Sequence, residues 1–317
     1  MRYTFLETIF RDNVPVYLFT LTRMIPVAEA EGVQLFCPER GRYAFFNSPY
    51  PSHKLNTGVD LYPGERFGGE AYSPVDGEVV LLREVKAPGG HGFEAADHES
   101  VIVIRNKDNP ETVTKLLHAD PLVEVGDNVR MGDVIATTLR SGYYGYGTSP
   151  HFHAEIRRPE DPIRARGGFN LTRIGNAVGV PVKEIAGEVV HVQQEFTYIQ
   201  MDSVSIGLVG EAGGEPALLE GGIPYYGWMG AHIHNPPSSG TIKLLGRAIA
   251  DITHAFNGSC KADCRGFSFS VKEKPILGLS LSLRPIKETL VKILPLRLTS
   301  LDVEVGEWLE VQLNASF

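Results

Sequence analysis

The stretch Ser149-Pro150-His151-Phe152-His153-Ala154-Glu155-Ile156 carries two imidazoles two residues apart. In an extended chain that spacing puts both on one face and turns Phe152 to the other. Such a pair suits a hydrolytic metal site, where one imidazole binds the ion and the other handles protons. Four features precede it in order: Asn56-Thr57-Gly58-Val59-Asp60, then Ser73-Pro74-Val75-Asp76-Gly77-Glu78-Val79-Val80, then Leu116-Leu117-His118, then Val125-Gly126-Asp127-Asn128-Val129-Arg130-Met131-Gly132-Asp133-Val134-Ile135. The glycine-rich segment 141–147 leads into the histidine pair, and its Tyr143, Tyr144 and Tyr146 are expected to line a substrate groove.

In this order the motifs resemble those of the M23 family of zinc metallopeptidases, the lysostaphin-like or LytM-like endopeptidases, over roughly residues 45 to 160. The resemblance implies a mostly β fold, with an antiparallel β-sheet groove domain of the duplicated hybrid-motif type, and zinc as cofactor. It further implies peptide-bond hydrolysis, on a peptide or cell-wall-like peptide substrate. Carried over position by position, Asp60 and His153 are metal ligands, while His118 and His151 activate water and stabilise the tetrahedral intermediate. The family's first ligand histidine falls on Asn56, and a neutral amide oxygen is a poor zinc ligand beside imidazole or carboxylate. Either Asn56 or His53, in the Pro- and Ser-rich loop just before it, completes the metal set, or the set is short by one.

That position decides the chemistry. Zinc lowers the pKa of water from about 15.7 to about 7, or on the order of 12 kcal/mol towards hydroxide. The substitution points to a metallopeptidase-like protein with impaired or lost zinc-dependent endopeptidase activity and a retained groove for a peptide or protein partner. The alternative is an active zinc endopeptidase that uses His53 or Asn56. A third reading is a carrier-type hybrid-motif domain, in which His118 would face His151 or His153 as in a phosphocarrier. Attachment of a lipoyl or biotinyl group is disfavoured, because Lys86, Lys107 and Lys115 lack the flanking pattern.

The elements around these motifs read as β. At 317 residues, with 34 Gly and 21 Pro, two domains of short strands separated by turns are expected. The expected division is a strand-like segment over 1–35, the peptidase-like domain over 36–170 and a second β-rich domain over 171–317. The arginine-rich segment 157–168 reads as a solvated linker, 246–256 as a helix and 286–293 as a weaker one. His232 and His234, before Pro236-Pro237, read as a structural or solvated loop pair. Cys260 and Cys264, near His254, read as free thiols or one local disulfide rather than a zinc knuckle.

A net charge of −8 disfavours nucleic acid and anionic membrane surfaces as partners. The apolar stretch 14–28 is interrupted by Pro15, Arg23 and Pro26, which suits neither a membrane span nor a signal peptide. An intracellular location follows if the amino terminus is native.

Overall fold

In a computed structural model of the chain, the structure describes residues 4–11, 14–20, 22–90, 92–175, 179–298 and 301–315. Residues 1–3, 12, 13 and 21 of the expected amino-terminal segment, and 176–178, 299, 300, 316 and 317 of the carboxy-terminal one, lie outside them. The fold is almost entirely antiparallel β, as the motif pattern predicts.

His153 belongs to a seven-stranded sheet, and His151 stands just before its strand; the order is Asn128–Val129, Gly77–Lys86, His98–Asn106, Val113–Leu117, Phe152–Arg157, Val59–Tyr62 and Arg42–Ala44. Period-two alternation divides its residues between two environments. Phe152, Ala154 and Ile156 go to a buried apolar cluster with Val59, Leu61, Ile102, Ile104 and Leu116. The opposite face carries His153 and Glu155, with Asp60, Lys115 and Glu99 on neighbouring strands. Register completes the placement: His153 lies opposite Asp60 on one side and Leu117 on the other.

The twelve strands from Ile185–Val192 to Trp308–Ala315 form one sheet that closes on itself twice. One ring runs Val209–Ala212, Thr241–Leu244, Arg247–Phe256, Ser259–Cys264, Trp228–His232 and Glu215–Ile223, and the last strand pairs back to the first. The other runs Lys274–Leu281, Phe267–Val271, Trp308–Ala315, Ile185–Val192, Thr197–Met201 and Thr289–Pro295, closing the same way. Closure leaves neither ring an open edge. Ile206, Val209, Leu218, Trp228 and Leu283 join the apolar cluster beneath the seven-stranded sheet, so the two regions share a core. The strand Met24–Ala30 also joins it through Val27 and Ala28, and pairs with Val33–Pro38 and Thr172–Arg173.

Four expectations change. The segment read as a helix over 246–256 is the strand Arg247–Phe256. Leu245 and Gly246, with φ of 52° and 74°, form a two-residue turn that closes a hairpin with Thr241–Leu244. The weaker helix is the strand Thr289–Pro295, where Val291 and Ile293 are buried. The expected linker 157–168 is no solvated connection at its start: Arg157 is fully buried. His232 lies in a strand and is buried, while His234 is exposed. Cys37, Cys260 and Cys264 are free. No helix among the described residues is long and apolar enough to cross a membrane.

Candidate metal centre and groove

His53 reaches the sheet by way of a single helical turn, Pro51–Lys54, entered through Pro51 at its first position, where the missing N–H is no loss. The turn ends in a paired C-cap: Asn56 N–H bonds His53 O at 3.1 Å and Thr57 N–H bonds Ser52 O at 2.8 Å. Asn56 takes the left-handed position, φ 56°, which asparagine tolerates well. Its amide nitrogen donates to Leu171 O at 2.8 Å. The motif position where the family pattern has histidine is therefore a helix stop and a clip to Leu171, just before the strand Thr172–Arg173. The reversal swings His53, one turn earlier, over Asp60.

Three ligand-type atoms meet there. His153 Nδ1 lies 2.8 Å from Asp60 Oδ1, His53 Nε2 lies 3.2 Å from the same oxygen, and the two nitrogens are 3.1 Å apart. All three residues are buried, and together they form a candidate metal-holding group. Their outer ring atoms are committed elsewhere. His53 Nδ1–H donates to Phe45 O at 2.6 Å, and His153 Nε2–H donates to Glu155 Oε1 at 3.0 Å. Both acceptors lack a proton of their own, so each ring turns a lone pair inward unless it is protonated.

The inner triangle is thus two imidazole nitrogens and a carboxylate oxygen, a set that needs a cation at its centre. Burial disfavours a charge on His153, but its bonds to Asp60 and Glu155 outweigh that and push its pKa up to about 9. Burial likewise opposes ionisation of Asp60. His53 and His151 beside it, with hydrogen bonds from His153 and His53, hold it well below the usual carboxylate range. Zinc–ligand bonds of about 2.0–2.1 Å set tetrahedral ligand–ligand edges of about 3.3 Å. The observed 2.8 to 3.2 Å asks for an expansion of only a few tenths of an ångström, and the donor set fits zinc.

Behind His153 stands a buried charged network. Glu155 also accepts from Lys115 Nζ at 2.8 Å and from Arg157 Nη1. Arg157 donates in turn to Asp161 O at 2.8 Å and Arg166 O at 2.7 Å. Burial alone would raise the Glu155 carboxyl, yet His153 and Lys115 bring it down to about 2. Lys115, weighed above as a carrier attachment point, is instead sealed in this network.

His118 and His151 flank the triangle. His151 Nδ1–H donates to Ser149 O at 2.9 Å, leaving Nε2 towards Asp60 Oδ2 at 3.6 Å. Burial, aided by His118 and His153, pushes its pKa down to about 4 despite Asp60, so the ring is neutral at pH 7. Tyr144 stacks on it, with ring centroids 4.9 Å apart. His118 occupies a left-handed backbone position, φ 69°, a conformation that costs a non-glycine residue of order 1 kcal/mol or more. Glu99 holds it there by accepting both the backbone N–H at 3.2 Å and Nδ1–H at 3.0 Å. The His118 and His151 rings are 5.5 Å apart.

This cluster floors a groove of about 720 Å³. Tyr225, Leu277, Lys292 and Leu294 of the second region form the facing wall, and Tyr50 and Tyr143 stand half-exposed at the rim. Tyr143, Tyr144 and Tyr146 all line the groove. Tyr146 O–H also donates to Pro295 O at 2.8 Å. Lys292 Nζ donates to Gly147 O and, at 2.7 Å, to Ser149 Oγ, tying the loop before His151 to the facing wall.

Glu155 and Glu99 escaped the sequence reading, which considered Lys115 only as a carrier attachment point. Glu155 continues the alternation of His151 and His153, a signal legible in the string. Glu99 carries no comparable local mark, since a hydrogen bond across two strands joins it to His118.

The family described as "Domain of unknown function (DUF8155) N-terminal domain" matches residues 34–173. That segment contains His53, Asp60, His118, His151 and His153. No curated protein matches the chain. Among solved structures, an NMR solution structure of lysostaphin aligns over 88% of this chain and 95% of that chain, with 14% identity and a TM-score of 0.29.

Proposed function

We propose that the groove is a zinc-dependent peptide hydrolase site, with His53 Nε2, Asp60 and His153 Nδ1 holding the ion. One observation carries this reading: two imidazoles, each with its outer N–H already donated, turn their remaining nitrogens and a buried carboxylate onto a single point. Asn56, which in the sequence argued for impaired catalysis, loses that force once His53 supplies the missing nitrogen. When bound, zinc supplies Lewis acidity and lowers the pKa of water to about 7.

The chain's own residues provide the rest. His151, neutral and with Nε2 towards the groove, accepts the proton of the attacking water and passes it to the leaving amine. Its hydrogen bond to Ser149 O fixes the tautomer this requires. His118 presents Nε2 beside it and, when protonated, donates to the developing oxyanion. The tyrosine-lined groove takes the peptide in extended form along the sheet face and keeps bulk water from the reacting carbonyl.

The test is paired. The full chain, purified without chelator, is expected to hold about one zinc per molecule by elemental analysis. It is also expected to cleave members of a quenched-fluorescence peptide library, with cleavage lost in His151→Ala while zinc is kept. Zinc bound tightly without cleavage of any peptide, or with cleavage indifferent to His151→Ala, would refute hydrolysis. A protein that takes up no zinc would leave a groove for binding peptide without cutting it.

A further inference from the structure

We infer that Glu220, in the strand Glu215–Ile223 of the second region, is a positioning residue for the metal-holding His53 and acts through the Phe45-Phe46 backbone. The inference rests on the metal reading given above. Glu220 is completely buried, and no Lys or Arg among the described residues lies within ion-pair distance of it. One carboxylate oxygen accepts from His232 Nε2–H at 2.6 Å. The other accepts from the backbone N–H of Phe46 at 2.7 Å. One residue earlier, Phe45 O accepts from His53 Nδ1–H at 2.6 Å. A continuous path of short hydrogen bonds therefore runs from the second region to the ring that faces the metal point.

Packing makes the path stiff. The Phe46 ring lies in a slot that exists because Gly230 has no side chain: a Cβ there would sit 2.1 Å from the ring. Phe46 also packs edge-on against Trp228 and tilted against His232. A carboxylate costs free energy in such surroundings, and an apolar residue of similar volume would serve stability as well. What the carboxylate provides is a fixed Phe46 N–H, hence a fixed Phe45 carbonyl, and so the tautomer and aim of His53. The region after 171, which carries no motif legible in the sequence, thereby supports the ligand set from behind.

The test is made in the full chain, with zinc affinity measured by competition against a chromophoric chelator and geometry read from the visible spectrum of the cobalt(II) form. Glu220→Gln keeps an acceptor for Phe46 N–H, and His232 can exchange tautomers to match; zinc affinity is expected within about threefold of wild type. Glu220→Met removes the acceptor at similar length; affinity is expected to fall about 10- to 100-fold, with an altered cobalt spectrum. Leu244→Ala, a buried change elsewhere in the second region, is expected to lower Tm and leave affinity alone. A Met variant that binds zinc within twofold of wild type, or a Gln variant as weak as Met, overturns the inference.

If the Met variant does not fold, amide exchange in the wild type decides. Zinc is expected to slow exchange at Phe46 at least tenfold, and an unchanged rate overturns the inference. A wild type that takes up neither metal removes the metal reading and this inference with it. Tight wild-type binding with an indifferent Met variant removes the inference alone.

Discussion

Gly58 stands beside His153 with no room for a side chain. A Cβ built there would lie 2.3 Å from Cε1 and 2.7 Å from Nε2 of the imidazole. Carbon atoms meet without strain near 3.5 Å, so Gly58→Ala forces the ring to recede by about 1.2 Å. Metal–ligand distances tolerate about 0.2 Å, and a misplacement of about 1 Å costs on the order of 100-fold in a catalytic geometry. The ring has little freedom to comply, because Asp60 and Glu155 hold its two nitrogens at 2.8 and 3.0 Å. Gly58→Ala is therefore expected to weaken zinc binding at least tenfold in chelator competition and to lower stability by about 1–3 kcal/mol through overpacking. Gly64→Ala, at a position with nothing within 4 Å of the added carbon, is the matched control and is expected to change neither. Wild-type zinc affinity in Gly58→Ala would refute the placement of His153 against this backbone, and the metal geometry with it.

Three further outcomes follow from the same geometry. His53→Ala is expected to abolish measurable zinc uptake, whereas Asn56→Gly, which keeps the left-handed backbone, is expected to bind zinc within a few-fold of wild type; equal losses from both would return Asn56 to the ligand set. The Glu155 carboxyl falls from an ordinary 4.5 to about 2 on folding, and at about 1.36 kcal/mol per unit this contributes about 3 kcal/mol. A depressed carboxyl stabilises above its unfolded pKa and loses that contribution as pH falls through its folded one, so metal-free wild type should weaken between pH about 4.5 and about 2. Urea unfolding should find Glu155→Gln weaker by about that amount at pH 7, with less dependence on pH over that acid range; a variant as stable as wild type at pH 7 would contradict the network. Burial raises the Cys260 thiol to about 11 and, with Asp263 adding, Cys264 to about 12, so a chromogenic disulfide reagent is expected to label them slowly until the protein is denatured, and immediate labelling of both in the folded protein would refute their placement.

The site was legible where chemistry and period coincide. His151, His153 and Asp60 could be assembled from alternation and motif order, because antiparallel register carries face and neighbour together. His53 could be named as a candidate but not chosen over Asn56. The choice depends on a one-turn helix and its left-handed stop, which add a chain reversal that a spacing rule does not contain. Arg157 looked like part of a solvated connector, since three more arginines follow it; the Glu155 carboxylate two residues earlier on its own strand, with the Asp161 and Arg166 carbonyls, explains its burial. The region after 171 misled in places for a related reason. In 246–256 the run of alanine and isoleucine fits either period, and the Leu245-Gly246 turn settles it for strand. Glu220 and Lys292 lie far in sequence from anything they support, so no local pattern marks them.

Diffraction from crystals soaked in zinc, with anomalous differences collected on both sides of the zinc edge, tests the central claim most directly. The account predicts one strong peak in the groove, within bonding distance of His53 Nε2, an Asp60 oxygen and His153 Nδ1, with Asn56 still donating to Leu171 O. No peak at that point, or a peak bound elsewhere with His53 turned away, would contradict it.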